Sequence, residues 1–341
     1  MRIALDAMGG DHGPQELIAG ALLAVEQTES DIYLIGDEPL LKKYLEASAV
    51  DADKKVVSRL HIIHAPTVVG MDENPVEAIR KKKDSSIMVA FDLVRKGAAV
   101  AAVSAGNSGA TLAAGVRTLG RLKHVARPGL ASIFPTLKGP VVIMDVGANV
   151  ECRPVHLFQF AVMASSFARL YHVDRPRVGL LTIGEESGKG NSLVKETYAL
   201  LEKSSLNFIG NVEGRDVFQG DVDVIVCDGF VGNICLKISE GLAEAAMRML
   251  KDEICKSRLA KLGYLLARPA FQKFKKRVDY AEYGGVPLLG IKGTGIVCHG
   301  KSSAHAIKNA IIEACQMENL NINDLISKEL REGLGNNSET A

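Results

Sequence analysis

The chain has 341 residues, 47% hydrophobic and only 5% aromatic, which is apolar enough for one large α/β body or two lobes and excludes a disordered chain. Its net charge of +1 excludes nucleic-acid binding by overall electrostatics, so any basic function must be local. The six cysteines are scattered without a C-x-x-C pair, which reads as reduced core thiols in a cytoplasmic protein and excludes a zinc module. Asp6 follows too soon for a signal peptide, and no run approaches the roughly 18 apolar residues of a membrane span.

The first predicted strand, Ile3 to Leu5, runs into a glycine-rich turn holding Asp6, Gly9 and Gly10, and Pro14 suits the first turn of a helix through Val25. Strands follow over Asp31 to Gly36 and Leu60 to Ala65, separated by a helix from Pro39 to Ala47. Four consecutive cations, Arg80 to Lys83, precede a helix ending near Lys96 and form either a solvated face or part of an anion site. Val100 to Val103 then runs into Ser104-Ala-Gly-Asn-Ser-Gly109, where a capped, alanine-rich helix begins. A helix start offers unpaired N–H groups and the positive end of its dipole, so Ser104, Gly106, Asn107, Ser108 and Gly109 are predicted to bind phosphate.

Strands over Leu130 to Phe134 and Val141 to Met144 come next, the second ending in a turn with Asp145 and Asn149, followed by an apolar helix from Val155 to Tyr171. Three further strands, 178–183, 222–227 and 296–298, each run into a glycine-rich polar turn and a helix. Six such turns on a parallel sheet are expected to share one edge and form one composite site. A single domain over 1–332 is expected, with a flexible tail over 333–341.

Familiar nucleotide and nucleophile motifs are absent. The glycine that a P-loop needs before Gly188-Lys189 falls at Ile183; Gly293-Thr-Gly295 meets Cys298 where the last glycine of a dinucleotide fingerprint belongs; Ser108 is one residue short of a nucleophile elbow. Lys189 stands between two glycines in a turn, where its stem covers no apolar surface, so it is read as functional. His299, between a buried strand and a capped helix, fits a structural or a ligand-contacting role equally. Asp6, Asp145 and Asp228 stand at strand ends, where aspartates commonly cap backbone N–H groups, and no metal site is expected.

Residues 248–277 carry ten Lys/Arg against two acids, a local charge of +8, with an apolar stripe through Leu250, Ile254, Leu262, Leu265, Leu266, Phe271 and Phe274. A basic amphipathic helix pair, about 240–277, can lie on an anionic membrane, dock an acidic protein, or pack in a dimer. The residues expected to face carrier or membrane are Arg258, Lys261, Leu265, Phe271, Lys273, Lys275 and Lys276.

Seven motifs in order resemble one family: Asp6-Ala-Met-Gly-Gly-Asp11 with Pro14, Ser104-Ala-Gly-Asn-Ser-Gly-Ala110, Asp145-Val-Gly-Ala-Asn149, Ile183-Gly-Glu-Glu with Lys189-Gly190, Gly210-Asn-Val-Glu-Gly-Arg-Asp216, Asp228-Gly-Phe-Val-Gly-Asn233, and Tyr283-Gly-Gly285 with Leu288-Leu-Gly290. They resemble the PlsX family, the acyl carrier protein:phosphate acyltransferases of bacterial phospholipid synthesis. The resemblance implies a three-layer α/β/α sandwich with a mostly parallel, Rossmann-like sheet, distantly like phosphotransacetylases and isocitrate dehydrogenases. It implies a homodimer that converts an acyl carrier protein thioester and inorganic phosphate to acyl phosphate without a cofactor. It also implies attachment to the inner face of the cytoplasmic membrane, with the downstream glycerol-phosphate acyltransferase as a partner.

On that reading Lys189, Asn191 and His299 are the catalytic candidates, and Asp6, Gly9, Gly10, Asp145, Asn149, Glu185, Asp228 and Asn233 contact substrate. Direct attack by phosphate on the thioester carbonyl is expected. Two rivals are a nicotinamide- and metal-dependent oxidative decarboxylase of the related fold, and a non-catalytic membrane-bound scaffold.

Overall fold

The computed structural model describes residues 1–50, 53–278 and 284–335, apart from the side chains of Lys275, Val278 and residues 333–335. Strand and helix alternate through β1 (Arg2–Asp6), α1 (Pro14–Gln27), β2 (Asp31–Gly36), α2 (Glu38–Ser48), α3 (Lys54–Val57), β3 (Leu60–His64), α4 (Pro75–Lys81), α5 (Ser86–Arg95), β4 (Ala101–Ser104) and α6 (Ser108–Leu119). A tight pair of strands, β5 (Gly129–Pro135) and β6 (Pro140–Met144), leads to α7 (Pro154–Ala168), β7 (Arg177–Leu181), α8 (Ser192–Glu202), β8 (Asn207–Val212) and β9 (Val224–Val226). The chain closes with α9 (Gly229–Lys256), α10 (Arg258–Val278), β10 (Val286–Leu289), β11 (Thr294–Val297), α11 (Ala304–Asn319) and α12 (Ile322–Gly335).

The strands form one sheet in the order β3-β2-β1-β4-β11-β10-β5-β6-β9-β7-β8. Side chains alternate across it with the period of two that a strand imposes. Ile3, Leu5, Val103, Val142, Met144 and Val226 join one apolar layer with α1, α7, α11 and α12. Ala4, Ala102, Val141, Ile143 and Ile225 join the other, with α4, α5 and α6. The result is a three-layer sandwich with a mostly parallel sheet, as expected.

Direction along the sheet differs from the expectation. β10 is antiparallel to β11 and to β5, and β5 is antiparallel to β6, whereas the remaining pairs are parallel. β1, β4 and β11 therefore run one way, while β6, β9 and β7 run the other. The six polar turns do not share one edge; they divide three and three. The cause lies in two short elements that the alternation did not reveal, β10 and the sharp return from β5 to β6.

The tail is also corrected, because α12 continues to Gly335; only 336–341 of the expected flexible segment lie outside the described residues. Tyr283 of the seventh motif lies outside them too. The helix pair is present but begins earlier than expected. α9 starts at Gly229 directly after β9, and its buried residues, Gly229 and Gly232, lie in its first turn. Beyond it large apolar side chains stand exposed, among them Leu242, Leu265 and Leu266. No helix among the described residues is long and apolar enough to cross a membrane.

Candidate functional site

The ends of β1, β4 and β11 lie level, since Asp6 pairs with Ser104 and Ser104 with Val297. Their three turns pack tightly. A Cβ on Gly9 would stand 2.6 Å from the Gly106 nitrogen, so only glycine allows that approach. The N–H of Asp11 donates to the Gly300 carbonyl at 2.7 Å. From the other half, the end of β6 is brought alongside because Met144 pairs with Ala131, one residue beyond Leu130, which pairs with Leu288 of β10.

Between the halves lies a cleft of about 410 Å³. Its polar wall is Ser108 at the start of α6 together with His299, Lys301, Ser302 and Ser303 at the start of α11. Asn233, Lys237 and Glu240 of α9 and the Val146-Gly147 backbone face them, with Leu130, Val286 and Val297 as the apolar floor. Two helix N-termini thus point into one space, each with the positive end of its dipole, and at α11 the first helical N–H, that of Ala304, is taken by the Glu16 carboxylate at 2.7 Å. In α6 the first intrahelical acceptor is the Asn107 carbonyl, taken by Thr111, so the N–H groups of Ser108 and Gly109 precede the ladder. The Nδ1 of His299 accepts from the Lys301 N–H at 3.1 Å, which leaves the proton of a neutral ring on Nε2. Lys237 pairs with Glu240 at 2.8 Å, and among the described residues no ion pair involves Lys301.

The residues predicted to bind phosphate separate into one that lines the cleft and four that build it. Ser108 lines it. The amide oxygen of Asn107 caps Ala110 N–H at 3.0 Å, and its amide nitrogen donates to the carbonyls of Met71 and Glu73 at 2.8 and 3.1 Å. Ser104 donates to Asp6 at 2.7 Å and accepts from Gly106 N–H at 3.1 Å. Gly109 packs against Pro75, which leaves no room for a Cβ. The 80–83 cations serve the same neighbourhood, since Lys82 pairs with Glu73 and donates to the Val68 carbonyl, while Lys81 pairs with Glu77. Lys82 thereby holds the loop on which Asn107 leans.

The predicted substrate residues divide similarly. Asn233 lines the cleft. Asp145 is fully buried and accepts from the N–H groups of Leu130, Ala148 and Asn149 and from the Asn149 side chain, which also donates to the Pro128 carbonyl. Burial pushes both Asp6 and Asp145 above the usual carboxylate range, against the pull of these hydrogen bonds. Asp228 caps α9 through Val231 N–H. Gly232 lets that helix lie on the Asp145 carbonyl, where a Cβ has no room. Gly9, Gly10, Asp6, Asp145, Asn149 and Asp228 therefore shape the walls and do not line the space.

Lys189, Asn191 and Glu185 sit in the turn after β7 and contribute nothing to the cleft lining. Lys189 is exposed, Asn191 caps α8 through Val194 N–H at 3.0 Å, and Glu185 pairs with Arg215. That turn adjoins the Asn233 turn, because Leu180 pairs with Val226. On the helix pair, Arg258, Lys261, Leu265, Lys273 and Lys276 are exposed, Phe271 stacks at 5.1 Å on Tyr264, and the side chain of Lys275 lies outside the described residues. Lys237, Lys301, Ser302 and Ser303 line the site without having been singled out. A lysine followed by two serines at a strand-to-helix turn was the signal available for the last three.

Residues 1–325 match the family model described as fatty acid synthesis protein. The chain is 54% identical over 336 residues to a phosphate acyltransferase of Geotalea uraniireducens, covering 97% of this chain and 95% of that one. It is 55% identical over 315 residues to a phosphate acyltransferase of Pelobacter propionicus, covering 91% and 89%. Among solved structures it is similar in fold to a phosphotransacetylase from Streptococcus pyogenes, with TM-score 0.63 and 16% identity over 93% of this chain and 94% of the other. A phosphotransacetylase from Staphylococcus aureus gives 0.61 and 17% over the same shares.

Proposed function

We propose, starting from the fact that the chain belongs to the fatty acid synthesis protein family, that it transfers a long-chain acyl group from an acyl carrier protein thioester to inorganic phosphate. The product is acyl phosphate, supplied to glycerol-3-phosphate acylation in phospholipid synthesis. The observation that carries this reading is the convergence of two helix N-termini, Ser108, His299 and Lys301 on one cleft. That is a cradle for a dianion beside an open, apolar-floored space.

Hydrogenphosphate is nucleophilic without a covalent helper. One oxygen, oriented by the Ser108 helix start and Lys301, attacks the thioester carbonyl carbon; the developing oxyanion meets the N–H groups and cations opposite. The tetrahedral intermediate collapses with loss of the C–S bond. The Nε2–H of His299 donates a hydrogen bond to the departing sulfur, and the proton of the hydrogenphosphate passes to that sulfur, so the reaction takes no net proton from solvent. Asn233 orients the acyl group from the facing wall. Lys189, from the exposed turn after β7, steadies the oxyanion, and Asn191 fixes that turn by capping α8.

The acidic carrier protein docks on the +8 stretch 248–277, and the same helix pair rests on an anionic membrane surface and packs in a homodimer. The supports are the exposed apolar stripe and the density of cations along it.

Incubation with acyl carrier protein thioester and phosphate should yield a hydroxylamine-trappable acyl phosphate, in amounts equal to the free thiol released. Thiol release without a hydroxamate would sink the reading. Lys189→Ala is expected to lower kcat at least tenfold; near-normal turnover would remove Lys189 from the mechanism.

A further inference from the structure

A second cavity, of about 390 Å³, lies between the β5–β6 hairpin, α9 and the end of α10. Ile133, Leu236 and Glu240 line both this cavity and the cleft, so the two spaces share a wall. Beyond that wall the lining is mostly apolar, with Phe134, Leu137, Phe218, Ala243 and Phe274, and Thr136, Gln219 and Ser239 are its uncharged polar members. The Phe134 and Phe218 rings lie 6.3 Å apart, centroid to centroid, and form one side.

The charged residues of this lining have their charges engaged. Glu240 is paired with Lys237. Arg277 donates to the carbonyls of Thr136 at 3.1 Å and of Leu137, and so fastens the end of α10 to the hairpin. Leu137, Phe218 and Phe274 nevertheless remain 69%, 42% and 52% exposed at its rim, so apolar surface is left for an occupant to cover.

We propose that this cavity holds the distal part of the acyl chain while the thioester carbonyl lies in the cleft, and that its depth sets the preferred chain length. The inference rests on the acyl-transfer reading and adds to it a chain site built from α9, α10 and the hairpin. The helix pair then acts twice, as docking surface outside and as roof of the hydrocarbon site within. The volume falls within the range of roughly 300–1,000 Å³ usual for small-molecule sites.

Each methylene turned out of an apolar site costs about fourfold in affinity. Ala243→Trp fills the cavity from α9, and Phe274→Ala removes the roof from a half-exposed position where folding is little disturbed. The ratio of kcat/KM for 16-carbon to 4-carbon acyl carrier protein thioesters should fall roughly 15-fold or more in Ala243→Trp and severalfold in Phe274→Ala. Binding of the fluorescent long-chain probe parinaric acid should weaken in parallel. An unchanged ratio in both variants, with hydroxamate still formed, overturns the chain site and leaves the acyl-transfer reading standing. Probe binding that survives both substitutions overturns it whatever the activity. Should the unsubstituted enzyme form no acyl phosphate, the transfer reading fails on its own.

Discussion

Ser108 and Lys301 are the two side chains on which phosphate affinity should turn, since each stands at a helix start that opens on the cleft. Lys301→Ala is expected to raise KM for phosphate roughly tenfold or more, in keeping with the loss of a charge-assisted hydrogen bond, while the melting temperature stays unchanged. Asn107→Ala should behave in the opposite way. It removes the cap of α6 and the tether to Met71 and Glu73, costing about 1 kcal/mol for the cap alone and lowering the melting temperature. A phosphate titration of both variants beside their thermal melts separates binding residue from builder. The turn after β4 was legible in the sequence as an anion pocket because strand, glycines and cap follow in a fixed order. The division of labour inside it was not legible. A capping asparagine and a ligand-binding asparagine look alike until the carbonyls of a loop more than thirty residues away come within reach.

At the scale of elements, α11 does two things, presenting its N-terminus to the cleft and burying Glu313 against Gly285 beside the cleft floor. Glu313 Oε2 accepts the Gly285 N–H at 3.2 Å, and Gly285 lines the cleft; Oε1 has no hydrogen-bond partner among the described residues. Burial pushes this carboxyl well above its ordinary 4.5, although hydrogen bonds from Gly285 and Tyr171 pull it down. A raised folded-state value means that the protonated form is the one the fold prefers. Stability from this group is therefore complete below pH 4.5 and declines as pH rises toward the folded value. Glu313→Gln should flatten this decline, with denaturant midpoints measured from pH 5 to 8 differing less than those of the unsubstituted protein. A parallel slope in both would place the pH dependence elsewhere. Elements were readable from apolar runs bounded by glycine turns, and most strands stand where those runs fall. Direction was not readable, because a buried run carries no sign of which way its neighbour points. One four-residue strand, β10, and one hairpin were enough to reverse half of the sheet and turn a supposed single edge into two facing walls.

For the whole molecule the consequence is that the cleft and the apolar cavity lie side by side beneath the helix pair, with Glu240 and Leu236 of α9 on both, and on the proposed chain site they mark one path for the acyl group. A carrier protein docked on the pair would stand at the entrance to that path. Because the chain as a whole is nearly neutral, attraction to an acidic partner or lipid depends on the concentrated charge of 248–277. Attraction of this kind is screened over about 10 Å at 0.1 M salt. Combined reversal of Lys273, Lys275 and Lys276 to glutamate leaves Arg277 on its hairpin carbonyls and so spares the roof of the cavity. The triple variant is expected to raise KM for acyl carrier protein thioester at least fivefold at low salt, with the difference shrinking as salt is added, and to leave KM for phosphate unchanged. Co-sedimentation with vesicles of anionic lipid should fall in the same variant, while neutral vesicles show no difference. If carrier kinetics and vesicle binding are both unaffected, the charge of the pair has no partner, and its exposed leucines belong to the dimer contact alone.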